Sequence, residues 1–399
     1  MEAAQGWDVH ERVIATLEGR KPDRFPFIDL LEPWYDARKR ANALPPEFDG
    51  LELSAVHRAL RFGQQRFVRV YSWRLRGVDL TVTLDGDVVL RERDPVTNRF
   101  PQMLDYIDRS KAGVTTLALA TPVGEVRMRQ ELRQEAVEQG LQSYLAEHLI
   151  KSSADVRPVE YILEHMEFVL NRDLYMAEVA SVGQGGLVVP SLDRLPYQQL
   201  LIDYFGEIEF IYALHDEPKM VEGLMQLLHE RVSEAFAGLA GIDAPYVELI
   251  DNMTGAITSP PAFERYCLPH YDVYTTLLHR QGKKVGSHLD GDLRPLLGLI
   301  ADSGLDVCES FSPEPLTPCT FEQAWEAWQH GGPTIWGGIP STFLDERTPE
   351  KDLHDYMDRI LSIVGSEPII FGIVDHVMRD NIAERIRYIA DRIESHTLS

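Results

Sequence analysis

In the second half of the chain five short apolar runs, residues 246–251, 284–290, 306–309, 334–338 and 368–375, each end in polar residues and hand over to a helical stretch. Continuous apolar runs alternating with helices predict a parallel sheet buried on both faces. Polar groups at the carboxyl ends of such strands converge on one face, which is where α/β barrels hold their chemistry. Four of the five endings carry ionisable groups, so the pattern predicts an enzyme and locates its site.

The N-terminal half is less regular. Residues 7–20 predict a helix, with Asp8 as N-cap, Val9, Arg12, Val13, Ile14 and Leu17 at helical spacing, and Gly19 and Pro22 closing it. Residues 25–31 read as a first barrel strand and 32–40 as a loop rich in binding-type side chains. The period then changes. Residues 78–84 and 88–93 flank Asp85-Gly86-Asp87, a hairpin signal, and 115–121 with 124–129 suggest a second antiparallel pair. Residues from about 63 to 135 are thus expected to be an antiparallel insertion on the barrel, within a single domain spanning 1–399. Amphipathic helices are expected at 156–171 and 216–241, with a strand at 174–180 between them and a turn at Gly183-Gln184-Gly185-Gly186.

Composition narrows the partners. The hydrophobic fraction of 44% is ample for a large core, and 39 Lys+Arg against 63 Asp+Glu give a formal charge of −24. That field repels phosphate backbones and anionic membranes, so neither nucleic acid nor a membrane is an expected partner. The first residues lack a basic and apolar leader pattern and no run of about 18 apolar residues occurs, which predicts a cytoplasmic protein. Three cysteines, Cys267, Cys308 and Cys319, have no C-x-x-C spacing and are too few for a disulfide framework. Cys308 reads as a core residue, whereas Cys319, after a Pro-rich loop beside the expected site, is an additional candidate ligand.

Ser287-His288-Leu289-Asp290-Gly291-Asp292 is the sharpest local signal. In an extended segment His288 and Asp290 share one side, so an imidazole and a carboxylate can hold a divalent metal or pair as acid and base. The alternative is a hydrogen-bonded core histidine, with Asp290 and Asp292 capping the helix that follows. Glu309 ends its run ahead of a rigid Ser-Phe-Ser-Pro-Glu-Pro loop and suits a ligand or a general base. Glu248, Asp251 and Asn252 end another strand before Gly255, which allows close backbone approach to a ligand. Asp375 and His376 close the last run, and in a closed barrel they come near Asp29 and Trp34. Arg38, Lys39 and Arg40 can hold a carboxylate or form a solvated face. No phosphate-binding Gly-rich loop and no Gly-x-Ser-x-Gly elbow occurs.

With these residues in hand the chain resembles the uroporphyrinogen decarboxylase superfamily, which includes decarboxylases and cobalamin-linked methyltransferases. The resemblance rests on residues 11–26, on Ile250-Asp-Asn-Met-Thr-Gly255 with 259–271, and on His288-Leu-Asp-Gly291 with 296–306. It implies an (α/β)8 TIM barrel and a homodimer. The decarboxylases carry an Arg-Gln-Ala-Gly-Arg loop and an essential aspartate, where this chain has residues 34–40 and Val70-Tyr-Ser-Trp-Arg74. The methyltransferases hold zinc with His-x-Cys and a distant cysteine. Here His288 is kept, Asp290 stands at the first cysteine, and the second falls at or near Asp375.

The expected function is therefore that of the substrate-specific component of a corrinoid-dependent methyltransferase or demethylase. Zinc or another divalent metal on His288 with Asp290, Glu309 or Asp375 would polarise the leaving heteroatom of a small O- or N-methyl compound. Asp251, Glu248, His288 and Asp375 are the expected catalytic residues. Asn252 and His376 line the pocket, Trp34, Tyr35 and Trp73 supply an aromatic wall, and Arg38 adds a charge for the substrate. The methyl acceptor would be a cobalamin on a separate corrinoid protein, since the chain has no Asp-x-His-x-x-Gly motif. The alternatives are a metal-independent decarboxylase or lyase of a small acid held by Arg38 or Arg40, and a non-catalytic binding protein on the same fold.

Overall fold

The computed structural model describes residues 6–398 apart from 109, 140, 142, 375 and 397. The chain is mixed α/β and divides into two compact units, one comprising residues 1–68, 173–191 and 244–399, the other 69–172 and 192–243.

The first unit holds, among the described residues, eight parallel strands: β1 (Ile28–Asp29), β2 (Gly63–Val68), β3 (Gly186–Pro190), β4 (Tyr246–Leu249), β5 (Lys284–His288), β6 (Val307–Phe311), β7 (Thr334–Ile339) and β8 (Ile370–Ile373). They pair in two runs, β1-β2-β3 and β4-β5-β6-β7-β8. Single parallel bridges join the runs at both ends, Phe27 with Phe371 and Ser191 with Glu248. All five apolar runs of the C-terminal half are thus parallel strands. Their hydrophobicity follows from burial on both faces: every residue of β4, β6 and β8 is buried.

Strand side chains and the first helix share one core. Ile28, Leu187, Val189, Tyr246, Val307, Trp336 and Ile370 pack with Val13 and Leu17 of the helix Val9–Leu17. That helix starts where expected, at an Asp8 capping box closed by Glu11. Glu32–Arg40 is a helix rather than a loop. Its signals are an acid and a proline in the first turn and three basic residues in the last, which complement the helix dipole. Residues 172–182 are likewise helical, not a strand. The apparent alternation there is outweighed by helix-forming Leu, Met, Ala and Glu, and Leu174 and Met176 are exposed.

The second unit is antiparallel. Asp79–Leu84 and Asp87–Arg93 form the expected hairpin, and Gly113–Thr121 pairs with Gly124–Leu132. With Tyr144–Glu147 these make a five-stranded sheet. The antiparallel pairing starts beyond residue 68, because Gly63–Val68 lies in the parallel set as β2. The helix expected over 156–171 is Ser153–Glu164, followed by a strand, Met166–Leu170, in which Phe168 sits opposite Trp73.

Candidate active site

Strand register assembles the site. In the parallel pairs Glu248 lies opposite Gly286 and His288 opposite Glu309, so these side chains share one face of the sheet. Glu248, His288 and Glu309 each offer a ligand atom within 4.8 Å of the other two. Glu248 and Glu309 are buried and His288 nearly so. The Nδ1 of His288 donates to Glu309 Oε2 at 2.6 Å. Glu309 Oε1 accepts from the Gln65 amide of β2 at 3.2 Å, and the Tyr246 hydroxyl donates to Glu248 Oε2 at 2.7 Å.

The electrostatics are those of a site built for positive charge. Burial and the neighbouring Glu309 push the Glu248 carboxyl well above the usual carboxylate range, only partly offset by His288 and Tyr246. Burial alone would lower the His288 pKa, but Glu309 and Asp290 raise it well above the ordinary imidazole value. Two acids and an imidazole therefore compete for protons in one buried space. Glu248 Oε1 and Gln65 Oε1 are buried with no donor. A divalent cation would meet these needs, and one imidazole with two carboxylates suits zinc or a harder cation rather than thiolate-bound zinc. The residues present thus fit a metal, with Glu248 completing the close group that His288 and Glu309 begin.

Asp290 flanks that group. Its Oδ2 lies 3.7 Å from His288 Nε2 and accepts from Asn252 Nδ2 at 3.1 Å. Despite burial, which raises it, His288 and Asn252 hold the Asp290 carboxyl below its usual value. Asn252 adopts a left-handed φ of 48°, and its N–H donates to the His288 carbonyl at 2.9 Å. It thereby braces the end of β5 as well as Asp290.

Asp251, expected to be catalytic, is turned away from this face. Its carboxylate accepts from Tyr271 at 2.6 Å and from Ser287 at 2.7 Å, and Ser287 points to the opposite side of β5 from His288. These bonds tie β4 and β5 to the helix Leu268–His279 and place Asp251 outside the close ligand group.

Trp34, Tyr35 and Arg38 form a group of their own on the helix Glu32–Arg40. Trp34 is fully buried and donates to the Asn381 carbonyl; Tyr35 donates to the Leu51 carbonyl. Arg38 lies over Trp34 and donates to the carbonyls of Arg379, Asn381 and Ala43. Lys39 donates to the Tyr35 hydroxyl. His376 is half-buried, and Asp375 lies outside the described residues. Trp73 belongs to the second unit, where its indole donates to Asp193. Cys319 is buried next to the Thr320 N-cap of Phe321–Trp328, outside the close ligand group, and burial and Asp292 push its thiol up to about 12. Tyr246 and Gln65 were not singled out from sequence. Tyr246 precedes Glu248 by two residues in a strand and so shares its face, a usable signal; Gln65 offered none.

The uroporphyrinogen decarboxylase (URO-D) family pattern matches residues 208–390. No significant match to a curated protein sequence is found. Among solved structures the chain is similar to a methyltransferase from Methanosarcina mazei, with a TM-score of 0.54 at 11% identity over 97% of this chain and 98% of that one. It also aligns with a putative vitamin-B12 independent methionine synthase from Listeria monocytogenes, at 10% identity over 98% of both chains, but the TM-score of 0.35 carries no weight. At such identities the likeness to the first is one of fold. The resemblance to the uroporphyrinogen decarboxylase family is thus borne out over residues 208–390, the segment that carries β4 to β8 and the whole Glu248–His288–Glu309 group.

Proposed function

We propose that the protein is a methyltransferase or demethylase that takes a methyl group from a small O- or N-methyl compound and delivers it to a corrinoid carried by a partner protein. The observation that carries this reading is the buried group Glu248–His288–Glu309, with an oxygen of Glu248 left without a donor. A fold shared with a methyltransferase supports the reaction class. The two bridges that join the parallel runs, together with the family match, support a closed eight-stranded α/β barrel with this group inside it.

Glu248, His288 and Glu309 would hold a divalent cation, which supplies Lewis-acid polarisation of the heteroatom that leaves the methyl group. The remaining roles belong to the chain. Tyr246 fixes the Glu248 carboxyl and Gln65 fixes Glu309, so both donors keep their orientation. Asp290, held by Asn252, faces His288 Nε2 and sets the direction of the imidazole. The loop from Asp290 onward and Asn252 would line the substrate space, where backbone approaches closely: a Cβ on Gly291 would come 2.4 Å from the Met253 carbonyl. Decarboxylation of an acid held by Arg38 is not favoured, because that guanidinium is spent on three main-chain carbonyls.

The test is methyl transfer to cob(I)alamin from a panel of methyl ethers and methylamines, followed by methylcobalamin absorbance. The expected result is turnover of at least one class that His288→Ala loses. Equal turnover in that variant, or release of CO2 from a carboxylic acid with no methyl transfer, would overturn the proposal.

A further inference from the structure

The second unit carries a second charged cluster, which methyl transfer as proposed does not use. Arg69 pairs with Asp193 at 2.5 Å, and the other oxygen of Asp193 accepts from Trp73 at 3.1 Å. Arg194 pairs with Asp203 at 3.2 Å, and the other oxygen of Asp203 accepts from Gln102 at 2.6 Å. Both carboxylates are thus engaged at both oxygens. A third arginine, Arg99, stands in the same field and donates only from Nη1, to the side-chain Oε1 of Gln102 at 3.2 Å. No carboxylate among the described residues pairs with it.

Three arginines against two aspartates leave one positive charge, on the half-buried Arg99, without a carboxylate partner. Burial, Arg69 and Arg194 outweigh the pull of Asp203 and Asp193 and bring Arg99 down to about 9. A further acid, Asp105, is exposed and engaged with Thr97 and Asn98. Beside the cluster, Tyr204 is fully buried and its hydroxyl has no partner. Its ring meets edge-on that of Phe100, the residue after Arg99. A half-buried cation without a carboxylate partner is open to an anion, and leaving the buried Tyr204 hydroxyl unmet is costly. A planar guanidinium fork matches an oxyanion, and the Tyr204 hydroxyl, in the field of Asp203 and Asp193, is a second free donor of the same cluster.

We propose that Arg99 and Tyr204, framed by Arg69 and Arg194, bind the carboxylate or phosphate group of a small anionic ligand. The site lies wholly in the second unit and is read by binding alone, so it stands or falls independently of methyl transfer.

The experiment is calorimetric titration of the full chain with inorganic phosphate and, separately, with benzoate, in buffers matched in ionic strength with chloride. Wild type is compared with Arg99→Gln and Tyr204→Phe, and thermal midpoints are recorded without added anion. The expected result is saturable binding of one probe by wild type, weakened at least tenfold in Arg99→Gln and several-fold in Tyr204→Phe. Arg99→Gln should also be no less stable than wild type in chloride, because it removes an uncompensated charge. Tighter binding of phosphate assigns a phosphoester ligand, and tighter binding of benzoate a carboxylate. No binding of either probe, binding unchanged in Arg99→Gln, or an anion-free Arg99→Gln that is clearly less stable would overturn the proposal.

Discussion

Gly286 is where a single methyl group should disturb the site from behind. It sits opposite Glu248 in the β4–β5 register, and a Cβ there would lie 2.0 Å from the Tyr246 hydroxyl oxygen, 2.7 Å from Cζ and 2.9 Å from Cε2. Ordinary contact begins near about 3.5 Å, so the ring must retreat by about 1.5 Å. Tyr246 is fully buried and packs on Trp336 with ring centroids 5.6 Å apart, so it has little room to do so. Gly286→Ala should therefore cost about 1–3 kcal/mol in overpacking. Breaking the 2.7 Å bond to Glu248 adds about 1–3 kcal/mol for a buried acid left unsatisfied. Tyr246→Phe loses the same hydrogen bond without the clash and should cost only about 1–3 kcal/mol. That bond can be lost once, and the phenylalanine lacks the atom that collides worst. The double variant should hence be more stable than the sum of the singles by about 1 kcal/mol or more. Denaturant unfolding of the four proteins measures this coupling, and additivity within about 0.5 kcal/mol would refute the packing argument.

Other consequences are as direct. Asp251→Asn should cost about 1–3 kcal/mol through the Tyr271 and Ser287 bonds while leaving bound metal unchanged; loss of metal would return Asp251 to the site. Asn252→Ala should cost about 1–2 kcal/mol for its left-handed φ, whereas Asn252→Gly keeps most of the stability, and equal losses in the two would contradict the backbone role. His57 is buried with Nε2 unpartnered, and burial lowers its pKa from 6.5 to about 4. Below pH 6.5 the unfolded chain binds the proton that the folded state refuses, so stability falls as pH drops from 6.5 towards about 4. At about 1.4 kcal/mol per pH unit the loss is about 3 kcal/mol. The difference in unfolding free energy between wild type and His57→Leu should show this slope across that range, and a difference that does not vary with pH would contradict it.

The parallel strands were the most legible part of the chain, because β4 to β8 are buried on both faces and their sequences show it as unbroken apolar runs ending in His288, Glu309 and their neighbours. The hairpin at Asp85-Gly86-Asp87 was equally plain, since only a few residue types suit a turn there. Misreadings came where pattern and propensity disagreed: Leu174 to Ala180 alternates but is helical, and Glu32–Arg40 carries helix-terminal charges that its aromatic residues obscured. For the site, His288 and Glu309 were visible as strand endings, and Glu248 was found as a catalytic candidate but not among the ligands. Its grouping with the other two depends on register across three strands, which a single sequence does not specify. That Asp251 bonds to Tyr271 and Ser287 rather than joining the ligand group was hidden for a related reason: next to a strand end, a shift of one residue turns a side chain to the other face.

The most direct test is the metal content of the purified protein by elemental mass spectrometry, for wild type, His288→Ala and Asp251→Asn, with folding of each checked by circular dichroism. About one zinc or similar divalent ion per chain is predicted in wild type and in Asp251→Asn, with none in folded His288→Ala. A wild type that holds no metal even after reconstitution, or a His288→Ala protein that keeps it, would contradict the assignment of Glu248, His288 and Glu309 as a metal site.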